Sequence, residues 1–141
     1  MGTFNQESTT QITQTGQAVG RVESVQVGLP RDVWWEGRLV QTGIFKDSVD
    51  GPVLASADGL AGDRQADLSV HGGPTKAIYA YFAEHYDFWR KELNEADLSF
   101  GAFGENLTLS GLDESAVHVG DRFRIGTADL VVTEPRVPCF K

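Results

Sequence analysis

Glycine falls so often along this 141-residue chain that little room is left for long helices: sixteen glycines cut it into short segments. Between them lie runs rich in valine, threonine and aromatic residues, a composition that suits strands. Val25 and Val27 alternate with polar neighbours until Gly28-Leu29-Pro30 breaks the run. Residues 32–40 read as a hairpin turning at Glu36-Gly37, extended by 43–46. Residues 77–82 are apolar with paired aromatics, as in a buried strand. After Gly101, strands are expected over 106–109, 116–119, 122–125 and 128–133, with Gly120-Asp121 and Gly126-Thr127 as tight turns. Only 84–93 changes period. Tyr86, Trp89 and Leu93 fall at i, i+3 and i+7, one face of a short helix whose plain role is core packing. The expectation is a mainly β fold: a barrel of short, mostly antiparallel strands with one short helix near 84–93.

The length fits one domain. Residues 1–18 are rich in Thr, Gln and Ser, with neither a cationic start nor an apolar core. They read as a flexible polar tail rather than a signal peptide, and residues 19–141 as the folded domain. The 57–74 stretch holds four glycines and little periodicity, as in a long functional loop. No apolar run approaches the length of a membrane span. A net charge of −8 suits neither nucleic acid nor an anionic bilayer, so neither partner is expected, and an anionic ligand needs a local basic pocket. With one cysteine there is no internal disulfide, which points to the cytoplasm.

The chemistry-bearing residues gather at glycine- or proline-bounded breaks. The closing segment EPRVPCFK sets Arg136 and Lys141 beside Cys139, and positive neighbours favour a thiolate, which attacks or binds a soft metal. Against this stands the plain reading of Cys139 as a packed thiol. HGGPTK sets His71 before Gly72 and Gly73, with Lys76 beyond, an arrangement that lets backbone N–H groups approach an anion or simply makes a turn. GLAGDR and GAFGENL present Asp63, Arg64, Glu105 and Asn106 in the same manner. A zinc-type spacing is missing: His71, His85 and His118 are scattered. Nor is there a Walker loop, a dinucleotide fingerprint or a Gly-x-Ser-x-Gly elbow. His85 reads as a helix-surface residue and His118 as structural.

Taken in order, SVQVGLPRDVWWEGRLVQTGIFKDSVDGPV, GLAGDRQADLSVHGGPTKAIYAYFAEHYDFWRKEL, GAFGENLTLSGL, VGDRFRIG and EPRVPCFK resemble the MOSC family, named for the C-terminal domain of molybdenum cofactor sulfurase. Within it they are similar to the bacterial stand-alone YiiM-like group, and the resemblance runs from about Gly20 to Lys141. It implies a β-barrel with a molybdopterin cofactor in a cleft and Cys139 as the molybdenum ligand. Arg31, Lys46, Arg64, His71, Gly72, Gly73, Asn106 and Arg136 then become candidates for holding the cofactor, and Cys139, His71, Asp63 and Glu105 for catalysis. Relatives continue past the cysteine, so the barrel is expected to be incomplete at its C-terminus, with an open edge that invites a homo-oligomer.

The function implied is a molybdenum-cofactor oxidoreductase acting on a small N-hydroxylated substrate such as a hydroxylaminopurine. Its electrons would come from a separate donor protein, since the chain has no flavin or iron–sulfur motif. The alternative is a cofactor or sulfur carrier without turnover of its own. A third reading is an inactive β-domain.

Overall fold

The computed structural model describes residues 2–4 and 10–137. In chain order the strands begin with β1 (Gly2–Phe4), β2 (Thr10–Gln14), β3 (Gln17–Val27), β4 (Arg31–Trp35), β5 (Arg38–Thr42), β6 (Asp47–Ser48), β7 (Val53–Ser56) and β8 (Gly59–Leu60). Helix α1 (Leu68–His71) and a 3-10 turn (Pro74–Lys76) follow, then β9 (Ala80–Phe82), α2 (Glu84–Glu92) and β10 (Leu107–Ser110). A second 3-10 turn (Glu114–Ala116), β11 (Arg122–Ile125) and β12 (Ala128–Val131) complete the described chain.

The main sheet runs β12-β11-β2-β3-β10-β9, with β6 also on β3, and curls into a half-barrel. Its β9–β10 pair is parallel; the other described pairs are antiparallel. A smaller sheet, β1-β7-β8, shares its core: Ile12, Val22, Val25, Leu107, Leu109 and Ile125 from one meet Val53, Ala55 and Leu60 from the other. Thr3 donates its N–H to Thr127 Oγ1 at 2.8 Å, tying β1 to the β11–β12 turn. At the opposite end Gly59 lies against the Ala77 carbonyl, where a Cβ would sit 2.7 Å from the oxygen. These two contacts join the small sheet to both ends of the large one.

The hairpin is as read. β4 pairs with β5 from Arg31↔Thr42 to Trp35↔Arg38, and positive φ at Glu36 (48°) and Gly37 (75°) gives the tight turn that matches strand twist. The β11–β12 hairpin and α2 also fall where expected. In α2, Glu84 and Asp87 stand in the first turn and Arg90 and Lys91 in the last, matching the helix dipole.

The tail is corrected: its described part is strand. β2 lies inside the main sheet between β11 and β3, with Ile12 1% exposed. The polar count misled because threonine is β-branched and one apolar side chain suffices for a strand buried on one face. Two other expected strands are absent. Residues 43–46 run without regular pairing, and 114–116 form a 3-10 turn capped by the Asp113 carboxylate, which accepts from Ser115 N at 3.0 Å. His118 therefore stands in a turn beside Asp121 rather than in a strand. The 57–74 loop carries β8 and α1. Among the described residues no helix is long and apolar enough to cross a membrane.

Candidate functional site

Asp67 starts the site. Its carboxylate caps α1 by accepting from Ser69 N, and the single turn of helix ends at His71. Gly72 can hold no side chain there, since a Cβ would meet the Leu68 carbonyl oxygen at 2.5 Å; Gly73 follows with φ 92°. The 3-10 turn then returns Lys76, whose ammonium donates to the Val70 carbonyl at 2.8 Å.

Against this loop lies the segment after β12. Thr133 Oγ1 donates to the Thr75 carbonyl at 2.6 Å, and the Lys76 ammonium stands 3.9 Å from Glu134. Arg136 Nη1 lies 2.8 Å from His71 Nδ1. Guanidinium only donates, so Nδ1 accepts and His71 carries its ring hydrogen on Nε2. Beneath the same guanidinium is the Tyr79 ring, its centroid 5.3 Å from the guanidinium carbon. HGGPTK and EPR, more than fifty residues apart in sequence, thus form one cationic rim. Burial pushes the Tyr79 hydroxyl up to about 12, helped by the Glu105 charge and Tyr81 and opposed by Arg136.

The other sequence candidates fall elsewhere. Asp63 is buried with Lys46: their side chains are 2% and 6% exposed, and they form an ion pair. Asp63 Oδ1 also accepts from Gly28 N at 2.9 Å. Gly28 and Lys46 are the two legs of the β4–β5 ribbon, so Asp63 clamps its base. Arg64 donates its backbone N–H to the Gly28 carbonyl and keeps its side chain exposed. Arg31 lies out on the ribbon, 3.9 Å above the Phe45 ring.

Glu105 is fully buried and accepts from four donors: the Tyr86 hydroxyl, Gly101 N at 2.8 Å, Thr108 Oγ1 at 3.0 Å and Phe103 N at 3.2 Å. Burial, then this hydrogen bond and charge, raise the Tyr86 hydroxyl well above the ordinary tyrosine range. Asn106 Oδ1 accepts from Tyr79 N at 3.0 Å and its amide donates to the Gln26 carbonyl at 3.2 Å. GEN is therefore a structural knot directly behind Tyr79. Cys139 lies outside the described residues.

Sequence reasoning missed Tyr79 and Glu134. The sign for Tyr79 was its position, three residues after Lys76 at the start of an aromatic strand; the sign for Glu134 was its place in the cysteine segment.

Residues 67–141 match the MOSC domain family, a span that starts at the α1 cap and includes both halves of the rim. The chain is 45% identical over 120 residues to YflK, an uncharacterized protein of Bacillus subtilis, covering 85% of this chain and 54% of YflK. It is 49% identical over 100 residues to the YiiM protein of Escherichia coli, covering 70% and 45%. A Gibberella moniliformis protein named a reductase is 43% identical over 108 residues, covering 74% of this chain and 19% of that one. The crystal structure of YiiM from Geobacillus stearothermophilus matches with a TM-score of 0.62 at 40% identity, over 82% of this chain and 51% of that one. The chain spans about half the length of YflK and YiiM. With a half-barrel of the same kind, and with the rim inside the matched span, the chain belongs to the MOSC domain family.

Proposed function

We propose that this chain forms the cofactor-holding part of a molybdenum-dependent oxidoreductase that reduces N-hydroxylated compounds of the hydroxylaminopurine kind with electrons from a separate donor protein. The observation that carries the reading is the rim. A chain of net charge −8 brings Arg136, Lys76 and His71 together from two distant segments, and the second of these leads into Cys139. The reductase name of one relative supports the reaction class.

The residues fit the group. Arg136 offers a planar fork for a phosphate oxygen, Lys76 adds a point charge, and the turn through Gly73 leaves the backbone open, with nothing within 4 Å of where a Cβ would stand. The Cys139 thiolate is the soft donor that molybdenum favours. When bound, the molybdenum cofactor supplies two-electron chemistry at the N–O bond.

Converting R–NHOH to R–NH2 and water takes two electrons from the donor and two protons. Of the three candidates for moving protons, Asp63 is committed to Lys46 and Gly28, and Glu105 to its four donors. That assigns proton delivery to His71, whose Nε2 bears the ring hydrogen. Tyr79 stays protonated at neutral pH and acts as a hydrogen-bond donor, not a base.

The test is production in a host that makes the cofactor, followed by metal analysis and turnover of a hydroxylaminopurine with a reduced donor. The proposal expects bound molybdenum, conversion to the aminopurine, and loss of the metal in Cys139→Ser with the melting temperature little changed. Loading without turnover would indicate the carrier function instead, and no molybdenum in the parent would refute both.

A further inference from the structure

We infer that Tyr79 is the positioning residue of the rim: its ring is the platform that holds the Arg136 guanidinium against His71. This rests on the cofactor reading for its purpose, but its geometry stands apart from it. The backbone that carries the ring is fixed from both sides. The Tyr79 backbone N–H donates to Asn106 Oδ1, and its carbonyl accepts from Asn106 N at 2.7 Å and Leu107 N at 3.1 Å. Tyr81 packs against the ring edge-on, centroids 6.3 Å apart. A platform held this way cannot follow Arg136; Arg136 must settle on it.

Arg136 needs such a platform. It follows β12 in a stretch without regular secondary structure and is exposed, where a long side chain otherwise samples many rotamers. Two contacts restrain it: the ring face at 5.3 Å and the acceptor His71 Nδ1 at 2.8 Å. A cation over a ring gains electrostatically, and the planar guanidinium keeps its edge donors available for an anion. The same arrangement selects the Nε2–H form of His71. Tyr79 thus links the buried Asn106 of the GEN motif to Arg136 and, through it, to His71.

The experiment is 15N NMR on the chain without cofactor, reading the Arg136 Nε–Hε resonance, assigned with Arg136→Lys, and the His71 ring nitrogens, with inorganic phosphate as the titrant. In the parent the Arg136 Hε should be shifted upfield by the ring, and His71 should show the Nε2–H pattern. Tyr79→Phe keeps the ring and should reproduce both. Tyr79→Leu should move Arg136 to the position of an unrestrained arginine, average the His71 tautomers, and weaken phosphate binding about two- to five-fold, the size of an exposed cation–π contact.

Unchanged resonances in Tyr79→Leu would overturn the inference, as would a Tyr79→Phe variant as disturbed as the leucine one, since the hydroxyl and not the ring face would then matter. If the leucine variant does not fold, Tyr79→Trp decides. A broader ring should shift Arg136 further upfield, and an unmoved resonance would refute the platform. A parent chain indifferent to phosphate would count against the cofactor reading, while the two resonances would still decide the role of Tyr79.

Discussion

Glu105 and Arg136 stand at similar breaks in the sequence, one after a glycine and one between prolines, and the fold uses them in opposite ways. Glu105 is sealed from water and every donor around it is aimed at its carboxylate. Arg136 is at the surface, held by a ring and an imidazole nitrogen, with donors to spare. Asp63 belongs with Glu105, since its buried pairing with Lys46 and Gly28 leaves it little to offer a ligand. A polar residue beside glycine is thus no guide to function until its hydrogen-bonding capacity has been counted. Where the fold consumes that capacity the residue builds the scaffold, and where it does not the residue can meet a ligand.

The largest test of this contrast is Glu105→Ala. It strands four donors at once, three of them buried, and should cost on the order of 3–5 kcal/mol, read from the denaturant midpoint at unchanged slope. Glu105→Gln, which still accepts through one oxygen, should cost less. A loss below about 1 kcal/mol for the alanine variant would break the contrast, because Glu105 would then not be a scaffold residue.

Next in size is Asp63→Ala, which leaves the Lys46 ammonium buried without its partner, at a cost of about 3 kcal/mol. Adding Lys46→Met should recover much of that loss, since an apolar chain of similar length replaces the stranded charge. A double variant no better than the single one would mean that the Gly28 hydrogen bond, not the ion pair, clamps the ribbon.

Alkali should weaken the fold through Tyr79 and Tyr86, whose hydroxyls burial holds protonated. The Tyr79 hydroxyl titrates from an ordinary 10.0 when unfolded to about 12 when folded, and Tyr86 is raised as well. A raised folded value means that the folded state holds its proton longer. The stabilisation is therefore fully present below pH 10 and is lost as pH climbs toward 12. For Tyr79, discounted for partial exposure, the loss is about 1–2 kcal/mol. Thermal melts across that window should fall more gently in Tyr79→Phe.

Smallest of all should be the effect of Arg136→Ala on stability, within about 0.5 kcal/mol, because it removes only surface contacts. A larger loss would move Arg136 to the scaffold side of the comparison.

Much of the fold was legible in the sequence. The β4–β5 and β11–β12 hairpins announced themselves through Glu36-Gly37 and Gly126-Thr127, because a tight turn between β-branched runs is a local signal. α2 was legible from the spacing of Tyr86, Trp89 and Leu93. β2 was not, since a Thr- and Gln-rich segment becomes a strand only by pairing with β3 and β11, and sheet neighbours are a non-local property. The same holds for the site. Sequence named His71 and Arg136 together with Asp63 and Glu105 and could not separate the rim pair from the buried carboxylates, because burial and partner counts are set by tertiary packing. Tyr79 was hidden for a related reason: an aromatic in a strand-like run reads as core, and only the return of the EPR segment gives its face a cation.

The central claim, that the rim and not the buried carboxylates meets the cofactor, is tested most directly by counting molybdenum atoms per folded chain in the parent, Arg136→Ala and Glu105→Gln, all produced in a host that makes the cofactor. The account predicts clear depletion in Arg136→Ala despite an unchanged melting temperature, and near-parental loading in whatever fraction of Glu105→Gln is folded. Parental loading in Arg136→Ala, together with loss in folded Glu105→Gln, would contradict it.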